Sequence, residues 1–281
     1  MNPVPVRSFA LAGPGRAGSS LALALVAAGW RAAGVTGRSV AAASTRAAVA
    51  RLGCAPCAPG DLGRGASLVV IATPDAGIEE VAAAIAPGLE AGTLVVHCAG
   101  ARGLDALAPI ERTRSDVTLG ALHPLQTFAA TDPARLVGAW AAVAGPPEVT
   151  ELALSLGLRP FVVADGQRAA YHAAAVVASN HVVALLGQVT RLAETAGVPA
   201  DAVWPLVHAT VANVEALGAV DALTGPVARG DLATVAAHLD AIDPAQREAY
   251  VAMARAALAL TERDDPALRD VLAGRRGGVL A

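Results

Sequence analysis

The sequence contains no lysine, and all 21 of its basic residues are arginine. No residue of this chain can therefore form a Schiff base with a carbonyl compound or act as a lysine general acid. Aromatic residues are also scarce, at 3%, and the formal net charge is −3. Basic surfaces and aromatic stacking platforms are the usual means of holding nucleic acid. We therefore expect no nucleic-acid partner.

Carboxylates are absent from the start of the chain, since the first acidic residue is Asp61. Upstream of it lies a glycine turn of the form GxGxxG, which begins at Gly13. In dinucleotide-binding βαβ units, an Asp or Glu about 20 residues beyond such a turn holds the ribose diol of NAD. This chain has Gly37, Arg38 and Ser39 in that region. An arginine without a carboxylate suits a 2′-phosphate, so the sequence predicts NADP, with Arg38 and Ser39 at the phosphate.

Long apolar runs and metal-binding clusters are missing as well. The longest apolar stretches, Leu21–Gly29 and Ala173–Gly187, are too short or too polar for a membrane span of about 20 residues. No basic segment with an apolar core opens the chain, so we expect no signal peptide, no membrane partner and a cytoplasmic location. Cys54 and Cys57 have CxxC spacing, but a zinc site needs four ligands and no second such pair is present. We expect no metal site, and we interpret these cysteines as small packing residues, with incidental redox chemistry as the alternative.

The glycine turn is the clearest motif that is present. It follows the apolar run Ser8–Ala12, which is typical of a buried strand, and it leads into a helical segment. In that context the glycines allow a tight turn, a close approach of the backbone to a pyrophosphate, and close packing of helix on strand. The amino end of the helix then faces the phosphates. The predicted cofactor-binding residues of the turn are Gly13, Pro14, Gly15, Arg16, Ala17 and Gly18. The alternative is a degenerate fold that binds no nucleotide.

The order of the predicted elements indicates two domains. Short apolar strands alternate with helical segments up to about residue 165, which is typical of a doubly wound, mainly parallel sheet. Beyond that point the pattern is helical, beginning with one long helix predicted over Arg168–Ala196. The sequence therefore predicts an α/β Rossmann domain at residues 1–165. An all-α domain for substrate binding and dimerisation is predicted at residues 166–281.

Three loops follow predicted strands, and ligands of open α/β sheets bind at the carboxyl ends of strands. We expect two of these loops to line the cofactor, with ordinary strand-end turns as the alternative. Their residues are Ala72, Thr73, Pro74, Cys98, Ala99 and Gly100. His123 ends a third strand and is a candidate for hydrogen bonding to the nicotinamide or to a substrate carbonyl. Packing within its own loop is an equally weighted alternative for His123.

The predicted long helix carries polar side chains on one side. At about 100° per residue, Arg168, His172 and Ser179 lie within roughly 40° of one another, and Asn180 flanks them. This stripe would interrupt a buried Ala and Val surface, so it either faces a wet cleft or closes a hydrogen-bond network between subunits. In a cleft, His172 would donate the proton, because its ordinary pKa of about 6.5 is close to working pH. Ser179 and Asn180 would orient the substrate, and Arg168 would bind an anionic group.

A second candidate site for a substrate carboxylate is the segment Leu223–Asp231, predicted as a loop between helices. Thr224 or Arg229 could reach the carboxylate from this loop. Turn formation, helix capping and a surface pair between Arg229 and Asp231 are the alternatives.

These motifs resemble a known superfamily. The glycine turn with Gly37-Arg38-Ser39 and Thr73-Pro74-Asp75 resembles the pyrroline-5-carboxylate reductase and 6-phosphogluconate dehydrogenase superfamily. A closer resemblance, to one subfamily, rests on His123–Phe128, Tyr171–Ala175 with Ser179-Asn180, and Leu223–Asp231. That subfamily joins a Rossmann-like NADP-binding domain to a helical C-terminal domain of unknown function. The resemblance implies a C-terminal domain like that of 6-phosphogluconate dehydrogenase, a homodimer formed through it, and an NADP-dependent oxidoreductase.

The resemblance has one departure that bears on mechanism. Hydroxyisobutyrate dehydrogenase and ketopantoate reductase place a catalytic lysine on the corresponding helix, where this chain has His172 followed by Asn180. We therefore expect an NADPH-dependent reductase of a small carbonyl or imine compound, with or without a carboxylate. One alternative is a ketopantoate-reductase-like enzyme in which histidine replaces lysine. Another is a sensor or scaffold protein that binds NADP(H) without turnover.

Overall fold

The computed structural model describes residues 7–199 and 201–275 of the 281-residue chain. Its first part alternates strands and helices, as the sequence predicted. The strands are β1 (Ser8–Ala12), β2 (Arg31–Thr36), β3 (Leu68–Ile71), β4 (Leu94–His97), β5 (Thr118–Pro124), β6 (Trp140–Ala144) and β7 (Arg159–Val162). The helices of this part are α1 (Arg16–Ala27), α2 (Ala43–Leu52), α3 (Ile78–Ile85), α4 (Ala108–Glu111), α5 (Pro147–Ser155) and α6 (Arg168–Val176).

These strands form one sheet in the order β2-β1-β3-β4-β5-β6-β7. Strands β1 to β5 are parallel, so their carboxyl ends meet at one edge of the sheet, which we call the carboxyl edge. Strand β6 runs antiparallel to β5, and β7 runs parallel to β6. The predicted doubly wound, mainly parallel sheet is confirmed.

The sheet is buried on both faces because successive strand residues point to opposite sides. Leu11 and Val70 pack on one face against apolar residues of α1, α2 and α5. Val69 and Ile71 point to the other face, where they pack against α3. This two-sided burial explains why the strand sequences are continuous apolar runs rather than alternating ones.

The second part of the chain is helical, as predicted. Its helices are α7 (Val182–Thr195), α8 (Trp204–Leu217), α9 (Ala219–Ala222), α10 (Pro226–Arg229), α11 (Leu232–Ala241), α12 (Pro244–Leu260) and α13 (Pro266–Leu272). A small apolar core that includes Val235, Leu258 and Leu268 joins the helices α10 to α13. The segment Leu223–Asp231, predicted as a loop, contains the short helix α10.

The predicted regular helix Arg168–Ala196 is interrupted. Helix α6 is followed by a π-helical segment, Val177–His181, before α7 begins. A π turn holds more residues than an α turn, so the angles assumed for the polar stripe do not apply beyond Val177. The expected burial was also wrong, because Arg168 is the single buried residue of α6.

The chain divides by packing into two compact units, Met1–Ser179 and Asn180–Ala281. The domain boundary predicted after residue 165 stays a prediction, because this division reflects contacts rather than independent folding. One helical stretch of the described chain, Asp165–Thr195, is long and apolar enough to cross a membrane by length and composition alone. A single stretch of this kind is weak evidence, so the absence of a membrane partner stays a prediction.

Most of the exposed apolar side chains of the helical unit lie on α7 and α8. None of the 14 residues of α8 is buried. We call the following exposed side chains the apolar helical surface: Val182, Val183, Leu185, Leu206, Val211, Val214 and Leu217.

Candidate functional site

The backbone of the glycine turn accounts for each of its glycines. Gly13 has a φ of +89°, and a Cβ at this position would lie 2.6 Å from the carbonyl group of Ala72. A Cβ on Gly18 would lie 2.4 Å from the carbonyl oxygen of Gly13, so only glycine lets α1 pack this closely. No described atom lies within 4 Å of the Cβ position of Gly15, which leaves its backbone open to a ligand. The turn has the shape that a dinucleotide pyrophosphate requires.

The amino end of α1 is free to hold an anion. Its N-cap residue is Gly15, no side chain caps it, and its first turn contains no acidic residue. The free N–H groups and the helix dipole both favour negative charge there. Arg16 is exposed and donates from Nη1 to the carbonyl oxygen of Ala129 at 3.1 Å, while Pro14 is buried and Ala17 is half-buried.

Arg38 and Ser39, the predicted phosphate ligands, are exposed just beyond the end of β2. The buried hydroxyl of Thr45 lies 2.3 Å from the Cβ position of Gly37, so a side chain at position 37 is excluded. This hydroxyl has no hydrogen-bond partner within the described residues. The end of β2 therefore presents a guanidinium and hydroxyl groups without a carboxylate, which suits a phosphate better than a ribose diol.

The loop after β3 lies directly against the glycine turn. Ala72 is half-buried beneath Gly13, and Pro74 is exposed. The hydroxyl of Thr73 is buried and finds no hydrogen-bond partner in the part of the chain that the structure describes. A buried hydroxyl without a partner is costly, so Thr73 fits a polar ligand group at this strand end.

His97 fixes the loop after β4, and sequence reasoning did not single it out. Its ring is fully buried, Nδ1 accepts from the backbone N–H of Ala99 at 3.2 Å, and Nε2 donates to the carbonyl oxygen of Gly103 at 3.0 Å. Burial lowers the pKa of His97 to about 4, so the ring is neutral at neutral pH. Burial also raises the pKa of the Cys98 thiol to about 12, which excludes a thiolate there. His97 therefore positions the loop that carries Gly100.

Two more histidines and a tyrosine converge on Gly100, and we call His123, Tyr171 and His172 the histidine cluster. Nδ1 of His123 lies 2.6 Å from the hydroxyl of Tyr171, and the rings of His123 and His172 meet edge to face at 5.7 Å. A Cβ on Gly100 would lie 2.4 Å from Nδ1 of His172 and 2.9 Å from Nε2 of His123. Both imidazoles therefore cover the same backbone position at the carboxyl edge.

Two members of the histidine cluster, His123 and Tyr171, are uncharged at neutral pH. Burial, followed by the nearby His172 and Arg168, lowers the pKa of His123 to about 4. Burial raises the pKa of Tyr171 to about 12. When the phenol donates to Nδ1 of His123, the neutral ring carries its proton on Nε2, the atom beside Gly100. Nδ1 of His172 is buried without a hydrogen-bond partner within the described residues.

Arg168, at the start of α6, lies within electrostatic range of the cluster. Its positive charge contributes to the lowered pKa of His97 and of His123. Its Nε donates to Asp165 at 3.2 Å. The structure thus brings His123 and His172 together over the predicted loop residue Gly100, and the charge of Arg168 reaches His123.

The other predicted substrate residues are placed differently. Ser179 and Asn180 lie in the π-helical segment, where the hydroxyl of Ser179 donates to the carbonyl oxygen of Ala175 at 2.7 Å. Thr224 and Arg229 belong to the helical unit, and both are exposed there. The alternative capping role is confirmed for Asp231, whose carboxylate accepts from the backbone N–H of Thr234 at 3.0 Å to cap α11. Thr224 and Arg229 remain predictions as substrate ligands.

Sequence reasoning missed His97 in this site, and it noted Tyr171 without assigning it a role. His97 ends a predicted strand, the same signal that selected His123, so it could have been found. Tyr171 stands next to His172 on the helix, but nothing in the sequence pairs it with His123, 48 residues away.

The sheet, the glycine turn and the free helix end define a nucleotide-binding protein of the Rossmann type with a helical C-terminal region. Residues 5–124 match the Rossmann-like domain family, and residues 139–257 match the family described as Domain of unknown function (DUF2520). The chain therefore joins a Rossmann-like domain to a DUF2520 domain, which confirms the resemblance seen in the motifs. No curated protein matched the sequence.

Several solved structures share this fold along most of the chain. BF3122 from Bacteroides fragilis, named as a candidate NADP oxidoreductase, is 24% identical with a TM-score of 0.75, over 92% of this chain and 99% of its own. Protein TM1727 from Thermotoga maritima is 22% identical with a TM-score of 0.62, over 96% and 100%. An imine reductase from Pseudomonas sp. is 18% identical with a TM-score of 0.61, over 96% and 93%. At these identities the likeness shows the shared fold.

Proposed function

We propose that this protein is an NADPH-dependent reductase of a small carbonyl or imine compound. The observation that carries the proposal is the position of His123 and His172, whose rings cover Gly100 at the same sheet edge as the glycine turn. In open α/β sheets this edge is where a dinucleotide and its substrate bind. The names of BF3122 and of the Pseudomonas imine reductase are in keeping with such a reaction.

The residues present fit a nicotinamide dinucleotide. Gly15 leaves open backbone for a pyrophosphate, the amino end of α1 has no side-chain cap, and Thr73 has a buried hydroxyl without a partner among the described residues. Arg38 and Ser39 would hold the 2′-phosphate. When bound, the reduced nicotinamide supplies a hydride ion to the substrate carbon.

The remaining chemistry belongs to the histidine cluster. We assign to Nδ1 of His172 the proton that the substrate oxygen or nitrogen takes up during reduction. Nε2–H of neutral His123 would donate a hydrogen bond to the same substrate atom, with Tyr171 fixing the ring through Nδ1. His97 holds the Gly100 loop in place through two main-chain hydrogen bonds. A fixed loop keeps the substrate and both imidazoles in one geometry.

The proposal is tested by following NADPH oxidation with panels of 2-oxo acids, cyclic imines and aldehydes. His172→Ala should slow turnover at least about a hundredfold, the lower range for general acid catalysis, while NADPH affinity stays nearly unchanged. His181→Ala, which removes an exposed histidine of the π-helical segment, is the matched control. Unchanged turnover in His172→Ala would remove His172 from the reaction. Tight NADPH binding without turnover on any panel would instead favour the non-catalytic sensor.

We also propose that a second copy of the chain covers the apolar helical surface. The proposal is supported by the seven exposed aliphatic side chains of this surface and by the absence of any buried residue in α8. Closed homodimers are the commonest way for soluble proteins to cover such a surface.

A further inference from the structure

Arg168 is the most deeply buried charge of the first unit, and its guanidinium is only partly satisfied. The side chain is 1% exposed, and Nε donates to Asp165. The other two nitrogens, Nη1 and Nη2, are buried and have no hydrogen-bond partner in the described part of the chain. A buried cation is stable when charged or polar partners satisfy its donors. Nη1 and Nη2 of Arg168 are thus available to donate to a partner that the described residues do not supply.

The surroundings of Arg168 do not neutralise it fully. His97, His123 and Tyr171 lie within range of its charge, and all three are uncharged at neutral pH. The carboxylate that pairs with it, Asp165, is largely exposed and contacts a different nitrogen. Asp75 and Asp105 act on His97, and neither is hydrogen-bonded to Arg168. The Nη1–Nη2 side of the guanidinium therefore favours an anion with two acceptor oxygens, for which its planar geometry is suited.

We propose that Nη1 and Nη2 of Arg168 bind the carboxylate of the substrate, so that the protein acts on a short oxo or imino acid. This inference rests on the proposed reductase function. The anion cannot be the cofactor's pyrophosphate, because the glycine turn follows β1 whereas His123 ends β5. These strands are three positions apart in the sheet, about 14 Å at the usual spacing. The 2′-phosphate site beyond β2 is one strand further away.

The spacing along α6 places Arg168 and His172 on the same side of the helix. Arg168 and His172 are four residues apart on a regular α-helix, so their Cβ atoms are neighbours at about 5–6 Å. The two side chains therefore leave the same side of α6, and the charge of Arg168 also reaches His123. One small substrate can thus place its carboxylate on Arg168 and its C=O or C=N group beside His172.

The experiment measures anion binding by calorimetry, without turnover, on the protein alone and on its NADPH complex. The probes are oxamate and acetoacetate, each compared with its neutral amide, oxamide or acetoacetamide. We expect at least one carboxylate to bind about tenfold or more tightly than its amide. Arg168→Gln should abolish that preference, Arg168→Lys should keep part of it, and Arg64→Gln, at an exposed pair with Asp61, should keep all of it.

Several outcomes would overturn the carboxylate site. These are equal binding of acids and amides, an unchanged preference in Arg168→Gln, or inorganic phosphate binding more tightly than either carboxylate. If Arg168→Gln does not fold, a crystal structure of the unaltered protein with oxamate tests the carboxylate site instead. A carboxylate bound away from Nη1 and Nη2 of Arg168 would contradict the inference. A carboxylate preference without NADPH binding would reject the reductase and keep the anion site. NADPH-dependent reduction of aldehydes without a preference for carboxylates would keep the reductase and reject the anion site.

Discussion

The hydroxyl of Tyr171 lies 2.6 Å from Nδ1 of His123, which links the start of α6 to the end of β5. The helical unit contains the same arrangement, with the hydroxyl of Tyr250 2.8 Å from Nδ1 of His238 and the rings perpendicular. The first pair lies beside Gly100 and the second lies on an exposed part of the helical unit. The contact between Tyr250 and His238 can therefore serve as a control for the contact between Tyr171 and His123.

Tyr171→Phe should change which ring nitrogen of His123 carries the proton, without changing the packing at position 171. The aromatic ring at position 171 remains against Phe161, but its hydrogen bond to Nδ1 of His123 is lost. The imidazole proton of His123 is then no longer directed to Nε2. We expect turnover to fall about five- to tenfold, the effect of about 1 kcal/mol for one hydrogen bond. Nuclear magnetic resonance of the ring nitrogens of His123 measures the proton distribution. Tyr250→Phe should alter neither quantity, and an unshifted His123 signal in Tyr171→Phe would contradict the assigned role.

Gly100→Ala should displace both imidazoles at once. The added methyl group would overlap Nδ1 of His172 and Nε2 of His123, and overpacking of this kind costs about 1–3 kcal/mol. We expect a lower midpoint of urea unfolding and a turnover reduced at least about tenfold. Gly166→Ala is the control, because no described atom lies within 4 Å of that Cβ position. Equal behaviour of the two variants would show that the imidazoles do not depend on Gly100.

Arg38→Glu should change which coenzyme is preferred. Loss of a charge-assisted contact to the 2′-phosphate removes about 1.5–3 kcal/mol, so the Kd for NADPH should rise about ten- to a hundredfold. The Kd for NADH, which has no such phosphate, should change much less. Arg51→Glu, an exposed charge reversal in the last turn of α2, serves as the control. Equal losses for both coenzymes would reject Arg38 as the phosphate ligand.

Stability should fall between pH 6.5 and pH 4. His97 and His123 have folded-state pKa values of about 4, below the ordinary 6.5, so the unfolded chain binds more protons in this range. Their contribution is complete above pH 6.5 and is lost as the pH falls towards 4, by up to roughly 3 kcal/mol for each histidine. Urea unfolding at several pH values measures the slope. His97→Gln should flatten it, His208→Gln on the exposed helix α8 should not, and an unchanged slope in His97→Gln would contradict the assignment.

Leu206→Asp should convert a homodimer to monomers. Leu206 is 70% exposed on α8, so a charge there is harmless to the isolated unit but costly inside a dimer interface. Size-exclusion chromatography with light scattering gives the oligomeric state. Val137→Asp, at a side chain 75% exposed in the first unit, should leave the dimer intact. A monomeric wild-type protein, or its sedimentation with lipid vesicles, would contradict the proposed dimer.

The sequence predicted the fold well where local chemistry decides the structure. The strand Ser8–Ala12 and the turn at Gly13 were both predicted correctly. A buried strand requires apolar residues, and a positive φ favours glycine, so both can be recognised from residue type. Gly100 and His123 were predicted as site residues because they lie at the carboxyl ends of predicted strands, and the structure places them together.

The remainder depended on information that periodicity does not contain. The stripe from Arg168 to Ser179 assumed a constant 100° per residue, and the π-helical segment Val177–His181 breaks that regularity. The Ala and Val surface of the predicted long helix was taken to be buried, but Arg168 is the single buried residue of α6. The contact between Tyr171 and His123 joins elements far apart in sequence, so only the folded topology reveals it.

The reversal of direction at β6 has an electrostatic consequence. Strands β1, β2 and β3 are each followed by a helix, so α1, α2 and α3 begin near the carboxyl edge and give it positive potential. Strand β5 turns back into β6 through a segment whose only described helix is the 3-10 turn Pro133–Leu136. The dipoles of α1, α2 and α3 can therefore attract anions beyond β1, β2 and β3. Beyond β5, the permanent charge of Arg168, which reaches His123 at the end of that strand, adds to the attraction.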